Sequence, residues 1–451
     1  MNTDDFSSET AGERELTAKN RAYAILRNRD LRLYLCGRLV AIIGQQMLAM
    51  AVGWELWHRT HDLMKLAFVG LTQVTPMILF TLPAGHVADN FGRKKIITLM
   101  TLVMAASSLG LCLISFYQAP VALMYVCLFL NGATRTFQTA ASASFLPSLV
   151  DRKDLSLAVN WSATTFQTAS IIGPAAAGGI ILWAGQRAFP IYALNMCAQL
   201  VFSFVMTQIH THHVVANREK MSLKTLLTGF DFVFSNQIIL GIISLDMFAV
   251  LLGGATALLP VYADFILNVG PLGLGFLQDA LPIGSLVCTF ILAHRPPIQK
   301  AGHSLLWAVT AFGVATIGFG LSHWFWLSFL MLFLCGIVDN VSVVIRHTLV
   351  QLLTPDEKRG RVSAVNNLFI GTSNELGEFE SGIVAHFLGP VIGNTKAMGA
   401  ILSVVLGGFG TMGVVVAIAL IFPLVRTYGR LDSTAPSDSS QKPPDTSPPI
   451  P

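Results

Sequence analysis

Charge is what this 451-residue chain has least of. Only 12% of its residues are Asp, Glu, Lys or Arg, against about 25% in an ordinary soluble protein. With 53% hydrophobic residues and a mean hydropathy of +0.62, the deficit excludes water as the main solvent and points to lipid. The net charge of +4 gives no field for nucleic acid, and none is expected as a partner. Cysteine is sparse too. Cys36, Cys112, Cys127, Cys197, Cys288 and Cys335 form no C-x-x-C pair and all fall inside apolar runs, so they read as buried free thiols. There is no H-E-x-x-H, no G-x-S-x-G and no P-loop pattern, which disfavours an intramembrane enzyme and an ATP-driven pump. The run "HTHHVVANREK" clusters His210, His212 and His213, but no acid or thiol completes a ligand set, so a solvated loop is expected rather than a metal site. No cofactor is expected. Residues 1–20 are polar and acidic, unlike a cleaved leader, and the first span should stay attached.

What the chain has is a series of long apolar runs. A helix needs about 20 mostly apolar residues to cross a bilayer. Such runs fall near 31–57, 65–88, 95–117, 120–147, 157–184, 188–209, 236–263, 271–293, 303–322, 324–352, 361–388 and 398–425. They must be helices, because lipid cannot satisfy backbone amides. Lys and Arg fall overwhelmingly on the side of the two termini; the opposite side holds only Arg59, Lys65, Arg187 and Lys396. That asymmetry predicts cytoplasmic termini. Trp54 and Trp57, at the far end of the first span, fit an interfacial aromatic belt. The expected organisation is a segment 1–30, a six-helix bundle 31–209, a central cytoplasmic loop 210–235, a second bundle 236–425, and a tail 426–451 whose Pro, Ser and Asp content reads as disordered.

The halves repeat weakly. "LFLNG" at 128 and "LFLCG" at 332 stand 204 residues apart. "GLTQVTP" at 70 resembles "GFLQDALP" at 275, and "DRKDLSLAVN" at 151 echoes "EKRGRVSAVN" at 357. Three matches at nearly one offset are the pattern of a transporter built from two halves.

"AGHVADNFGRKK", residues 84–95, lies between the second and third runs. Gly85, Ala88, Asp89, Gly92, Arg93, Lys94 and Lys95 resemble the signature that the major facilitator superfamily carries at this place. "IIGPAAAGG" (171–179), with Gly173, Pro174, Gly178 and Gly179, resembles the family's span-five antiporter motif, with one extra residue between Gly-Pro and Gly-Gly. "DMFAVLLGGATALLPVYA" and "NELGEFESG" are similar to the branch holding the enterobactin exporter and drug:proton antiporters. The resemblance implies an all-α polytopic membrane protein with twelve transmembrane helices in two pseudo-symmetric six-helix bundles. It also implies a bacterial inner membrane, a small-molecule substrate, and a monomer in the bilayer. In the family the 84–95 stretch latches the halves together. A basic loop that only sets topology is the plainer reading, but it would need neither the glycines nor Asp89. The second-half counterpart, "TFILAHRPPIQK", lacks the Asp and Gly, so the latch should be asymmetric.

Nine ionisable residues lie well inside spans: Arg38, Arg135, Asp246, Asp279, Asp339, Arg346, Glu375, Glu378 and Glu380. Facing lipid at roughly 2.5 kcal/mol each, they would cost more than a fold worth about 5–15 kcal/mol can bear. Most must face a protein interior or a watery cavity. Asn131, Arg135, Gln138 and Ser142 share one face of span four; Asp339, Ser342 and Arg346 share one face of span ten. The repeat sets Arg135 opposite Asp339. The resemblance puts spans one, four, seven and ten around the central cavity, where Arg38, Gln45, Gln46 and Asp246 add polarity. A substrate path with charges of both signs is one reading, and a structural ion pair that joins helices is the other. Glu375 and Glu378 share a face of span eleven. Two adjacent carboxylates in low dielectric do not ionise together easily, which suits a proton carrier; a hydrogen-bonded packing motif is the alternative. Gly371, Gly377 and Gly382 suit that span to close packing.

The function expected is a proton-coupled exporter of small amphipathic molecules such as a siderophore or drug, driven by the proton gradient. An importer on the same scaffold is the nearest alternative, disfavoured by the antiporter-like stretch. A non-transporting receptor would be expected to carry a substantial soluble domain, and the sequence shows none.

Overall fold

In a computed structural model, residues 23–210, 223–296, 298–392 and 396–429 are described. Among them twelve long helices follow one another: α1 (Arg29–Thr60), α2 (Leu63–Asn90), α3 (Arg93–Phe116), α4 (Ala122–Phe145), α5 (Leu155–Trp183), α6 (Phe189–Gln208), α7 (Gln237–Leu252), α8 (Gly270–Ala293), α9 (Ala301–Gly320), α10 (Phe325–Leu353), α11 (Asp356–Ile392) and α12 (Lys396–Ile421). By length and composition alone, ten of the described helical segments could cross a membrane. The two long helices that do not qualify are α4 and α11, which carry Arg135 and Glu375, Glu378 and Glu380.

Side-chain caps set the helix starts. Asn28 accepts hydrogen bonds from the backbone N–H of Asp30 (3.0 Å) and Leu31 (3.2 Å) at α1. Asp62 caps α2 through Met64 (3.0 Å), and Asn236 caps α7 through Ile238 and Ile239 (both 3.1 Å). Each satisfies donors that a helix start leaves open.

Two expectations need correction. The seventh run is not one helix. After α7 the chain breaks at Gly253 and Gly254, then continues as a 3-10 turn (Ala255–Leu258), a short helix (Leu259–Val261) and a π-helical stretch (Tyr262–Ile266). The break sits against α11: a Cβ on Gly254 would strike the carbonyl of Gly377, and one on Gly253 would press on Ala249 and Phe312. Side-chain donors tie the two sides of the break to neighbouring helices: Thr411 Oγ1 of α12 donates to Ala249 O (3.1 Å), and Tyr262 OH to Gly320 O at the end of α9 (2.9 Å). The loop 210–235 is also not all loop, since Leu223–Ser235 is helical. His212 and His213 lie outside the described residues, as do residues 1–22 and the tail from 430.

The buried apolar side chains form three clusters, and these define the shape. One contains Leu31, Tyr34, Ala88, Ile97, Phe145 and Met206, all from the first half. A second contains Ile242, Leu245, Leu305, Ile345, Val362 and Val415, all from the second half. The third joins the halves, with Trp54 and Trp57 of α1, Ile181 of α5 and Tyr192 of α6 meeting Leu258, Tyr262, Leu277 and Phe319. The first two lie toward the end bearing the termini and the third at the opposite end. The halves are therefore fused at one end and separate at the other.

Two helix pairs make the seam, α2 with α11 and α5 with α8. Glycine allows both. A Cβ on Gly275 of α8 would strike the Pro174 carbonyl of α5, and one on Gly178 of α5 would strike the Pro271 carbonyl of α8. Gly70 of α2 faces Glu375 O and Phe379 N, and Gly382 of α11 faces Ala67. Gln167 Nε2 donates to Pro282 O (2.6 Å) across α5–α8. Within a bilayer, helices associate through such close approach and polar contact rather than the hydrophobic effect. Gly275→Val should cost about 1–3 kcal/mol by overpacking, seen as a lowered melting temperature of the purified protein. Gly413→Val, with nothing within 4 Å of its Cβ position, should leave it unchanged; equal shifts would refute the close seam.

Candidate functional site

Arg135 of α4 meets Glu375 of α11 across the halves, Nη1 to Oε1 3.4 Å. The Arg135 side chain is 58% exposed, that of Glu375 only 14%. Glu378 follows one turn later and is half-buried. One cation here faces two carboxylates.

This corrects the expected pairing with Asp339. Asp339 lies inside the second half, where with Asp246, Ser342, Val250, Val309 and Phe312 it lines a small cavity of about 20 Å³ between α7, α9 and α10. That is room for one water. Arg346, one turn beyond Ser342, forms an ion pair with Asp246 and donates Nε–H to Ser342 O (3.3 Å). Repeat symmetry matched sequence positions, but it could not give the rotation of α10, which turns Asp339 toward its own bundle.

The first-half candidates are engaged locally. Arg38 of α1 donates to Ser162 Oγ of α5 and lies 5.9 Å from the Tyr34 ring centroid. Gln46 Nε2 donates to Ser170 Oγ (2.8 Å). Gln45 directs its amide at Met104 Sδ of α3 (3.4 Å), so it serves packing within the half. Asn131 is 8% exposed, and its Nδ2 has no hydrogen-bond partner among the described residues. Gln138 is half-buried.

In the 84–95 stretch Gly85 is buried at the end of α2, while the Asp89 side chain lies outside the described residues. Arg93 Nη1 donates to Ser144 O (3.0 Å), and Lys94 Nζ to Ile209 O (2.7 Å) and Thr207 O (3.0 Å); Lys95 is exposed. Arg93 and Lys94 thus brace α3 against α4 and α6 of their own half. Gly92 has φ −62° and only the Lys95 side chain, at 3.9 Å, near its Cβ position. Neither backbone nor packing demands glycine there in this conformation. In the span-five motif Gly173 packs on Gln46 and Ile43 of α1, while Gly179 has nothing within 4 Å.

Several residues escaped the sequence reading. Glu55 is 5% exposed and pairs with Arg59 (3.1 Å); their four-residue spacing on one helix was the available signal. Trp57 is fully buried, not interfacial: its Nε1–H donates to Asp264 Oδ2 (2.9 Å) of the second half. Asp62 faces His386 Nδ1 of α11 at 3.8 Å. These contacts close the end opposite the termini, and no local pattern announces them. The cysteines are free as expected, but Cys36 and Cys197 are exposed rather than buried.

Two six-helix halves, sealed at one end, parted at the other and carrying charges at mid-depth, are the architecture of a membrane transporter rather than an enzyme. The chain belongs to the major facilitator superfamily, whose family model matches residues 34–377. Curated relatives include the enterobactin exporter EntS of Escherichia coli O1:K1 / APEC and of Shigella boydii serotype 18, each 24% identical over 398 residues, covering 88% of this chain and 92% of the relative. Among solved structures, the nucleoside transporter NupG aligns with TM-score 0.65 at 11% identity, covering 89% of this chain and 100% of its own. A bacterial homologue of the human lysosomal transporter Spinster, inward-facing and occupied, aligns with TM-score 0.66 at 13% identity, covering 89% and 97%. An inward-facing bacterial homologue of the iron transporter ferroportin gives 0.63 at 16%, covering 86% and 98%. At such identities these structures establish the fold.

The Asp246–Arg346 side chains are 9% and 10% exposed, so removing one strands the other. Asp246→Asn should destabilise the protein by about 3–5 kcal/mol, and the double variant Asp246→Asn/Arg346→Gln by less. Thermal unfolding of the four species checks this; additive losses would show that the pair is not coupled.

Proposed function

We propose that this protein is a proton-coupled exporter of small amphipathic molecules in a bacterial inner membrane. It would work as a monomer by alternating access, with both termini in the cytoplasm. The observation that carries the reading is the single cation Arg135 set against Glu375 and Glu378 (Arg135 Nη1–Glu375 Oε1 3.4 Å), at mid-depth where the halves meet. One carboxylate is balanced by Arg135, and the other is available to a proton or to a basic group of a substrate. The excess of Lys and Arg at the end bearing the termini supports cytoplasmic placement, which makes the parted end the inward-facing one. The relatives named as exporters support the direction of transport, and the antiporter-like stretch at Gly173–Gly179 agrees with them. Asp89 and the basic residues after it would latch the halves when the cytoplasmic side shuts.

Transport by purified protein in sealed vesicles of defined orientation, with and without a pH gradient, tests the reading against a panel of siderophores and amphipathic drugs. Uptake into inside-out vesicles, dependent on an acidic lumen, is expected. Gradient-independent flux, or accumulation only in right-side-out vesicles, would overturn coupling or direction respectively.

Asp339→Asn and Glu378→Gln are the variants expected to abolish gradient-driven transport while substrate counterflow survives. If both keep gradient-driven transport at the level of the unmodified protein, neither carboxylate carries the coupling proton. Asp89→Asn should insert normally but shift the balance between inward- and outward-open forms, read as altered thiol labelling of paired cysteines at the cytoplasmic ends. Unchanged labelling together with unchanged transport would reduce the stretch to a topology signal.

A further inference from the structure

A cavity of about 510 Å³ opens at the end of the molecule opposite the termini and is lined by Arg59, Lys65, Phe68, Pro120, Val121 and Tyr125 among others. Its walls are the last turn of α1, the first turn of α2 and the entry to α4, so it lies at the level where spans leave the hydrocarbon for the headgroups. Only four Lys or Arg residues stand on that side of the sequence, Arg59, Lys65, Arg187 and Lys396, and two of them share this cavity.

The two cations are not equivalent. Arg59 is fixed: Nη1 pairs with Glu55 (3.1 Å) and Nη2 donates to Ala119 O (2.5 Å). Glu55 cancels its charge but leaves guanidinium N–H donors unused. Lys65 is exposed and forms no ion pair among the described residues. Its backbone is held, because Tyr125 OH donates to Lys65 O (2.6 Å) and Phe68 meets the Tyr125 ring edge-on at 6.4 Å. Asp62, the acid of the same turn, is occupied by Met64 N–H (3.0 Å) and His386 (3.8 Å). The cavity thus presents the Lys65 ammonium and spare Arg59 N–H donors beside walls of Phe68, Pro120 and Val121, while the Asp62 carboxylate is engaged by the α2 N-terminus and His386.

We propose that this cavity binds the phosphodiester of an anionic phospholipid from the leaflet at that end. Lys65 supplies the countercharge and Arg59 hydrogen-bond donors, while the apolar walls take the glycerol and the first methylenes. The Lys65 ammonium with guanidinium donors beside it matches a phosphodiester monoanion and gains less from a zwitterionic headgroup, whose own amine already balances its phosphate. With so few cations on this side, general polybasic attraction does not account for two in one cavity. The site abuts the sealed end of the transporter, since Phe68 also lies 6.1 Å from Phe379 of α11, so a bound headgroup braces the α1–α2 turn against the second half. The proposal does not depend on the direction of transport or on proton coupling.

The test is native mass spectrometry of the full-length protein released from bilayers of phosphatidylglycerol and phosphatidylcholine. One phosphatidylglycerol should be retained in preference, with Lys65→Gln reducing the preference about fivefold, Lys65→Arg restoring it, and Lys396→Gln, on the same side but outside the cavity, leaving it intact. Equal retention by the unmodified protein and Lys65→Gln, or no preference over phosphatidylcholine, would overturn the proposal. Inorganic phosphate and glycerol phosphate, added to lipid-free protein, form the second arm. A Lys65-dependent rise in melting temperature there, without lipid preference, would overturn the lipid as source and assign the cavity to a soluble anion.

Discussion

The structure depends on how two bundles hold together in a solvent as apolar as their own surfaces. Lipid removes the hydrophobic drive between helices and leaves close packing and polar contact. The chain meets this with backbone-on-backbone approach at two seams, where Gly275 lies against the Pro174 carbonyl, Gly178 against Pro271, and Gly70 against α11. Such contacts strengthen steeply as surfaces close and vanish when they part. The seams can therefore hold one end shut without cementing it.

Polar contacts reinforce the closure where apolar packing alone would leave the register loose. Trp57–Asp264 and Asp62–His386 span the halves at the sealed end, and Arg135–Glu375 spans them at mid-depth. The largest side chains of the shared cluster, Trp54, Trp57, Tyr192 and Tyr262, are all fully buried there. At the other end the clusters around Tyr34 and Ile345 stay within their own halves. A packing scheme that is cohesive at one end and divided at the other gives one access route at a time.

Much of this was legible in the sequence because lipid enforces simple rules. Span length, helical structure and the inward placement of charges follow from the cost of exposing polar groups to hydrocarbon. The stretch at 84–95 and the six-plus-six repeat carried the family. What could not be read was whatever depends on helix rotation and on partners distant in sequence. Trp57 sits where an interfacial tryptophan would, yet the second half covers it. Asp339 has the repeat position to face Arg135, yet a rotation of α10 gives it to a cavity in its own bundle. Gly253-Gly254 lay inside an apolar run whose hydropathy averages over the break. The Glu55–Arg59 pair was within reach of the four-residue rule but sat at the very end of the run 31–57, outside the nine charges counted well inside spans.

The break after α7 ties these parts together. Asp246 lies before it, bound to Arg346 in the second half, and Asp264 lies after it, bound to Trp57 in the first. A continuous helix would make the two ends one rigid body, so that releasing Asp264 from α1 would drag Asp246 against Arg346. Two glycines and a 3-10 turn between them let the segments tilt separately. The hinge is not free, because Gly254 packs on Gly377 of α11, in the turn between Glu375 and Glu378. Movement at the break therefore presses on the helix that carries the carboxylates facing Arg135. The break and the charged site thus share a backbone contact, at a position where any side chain on either glycine would hold the helices apart.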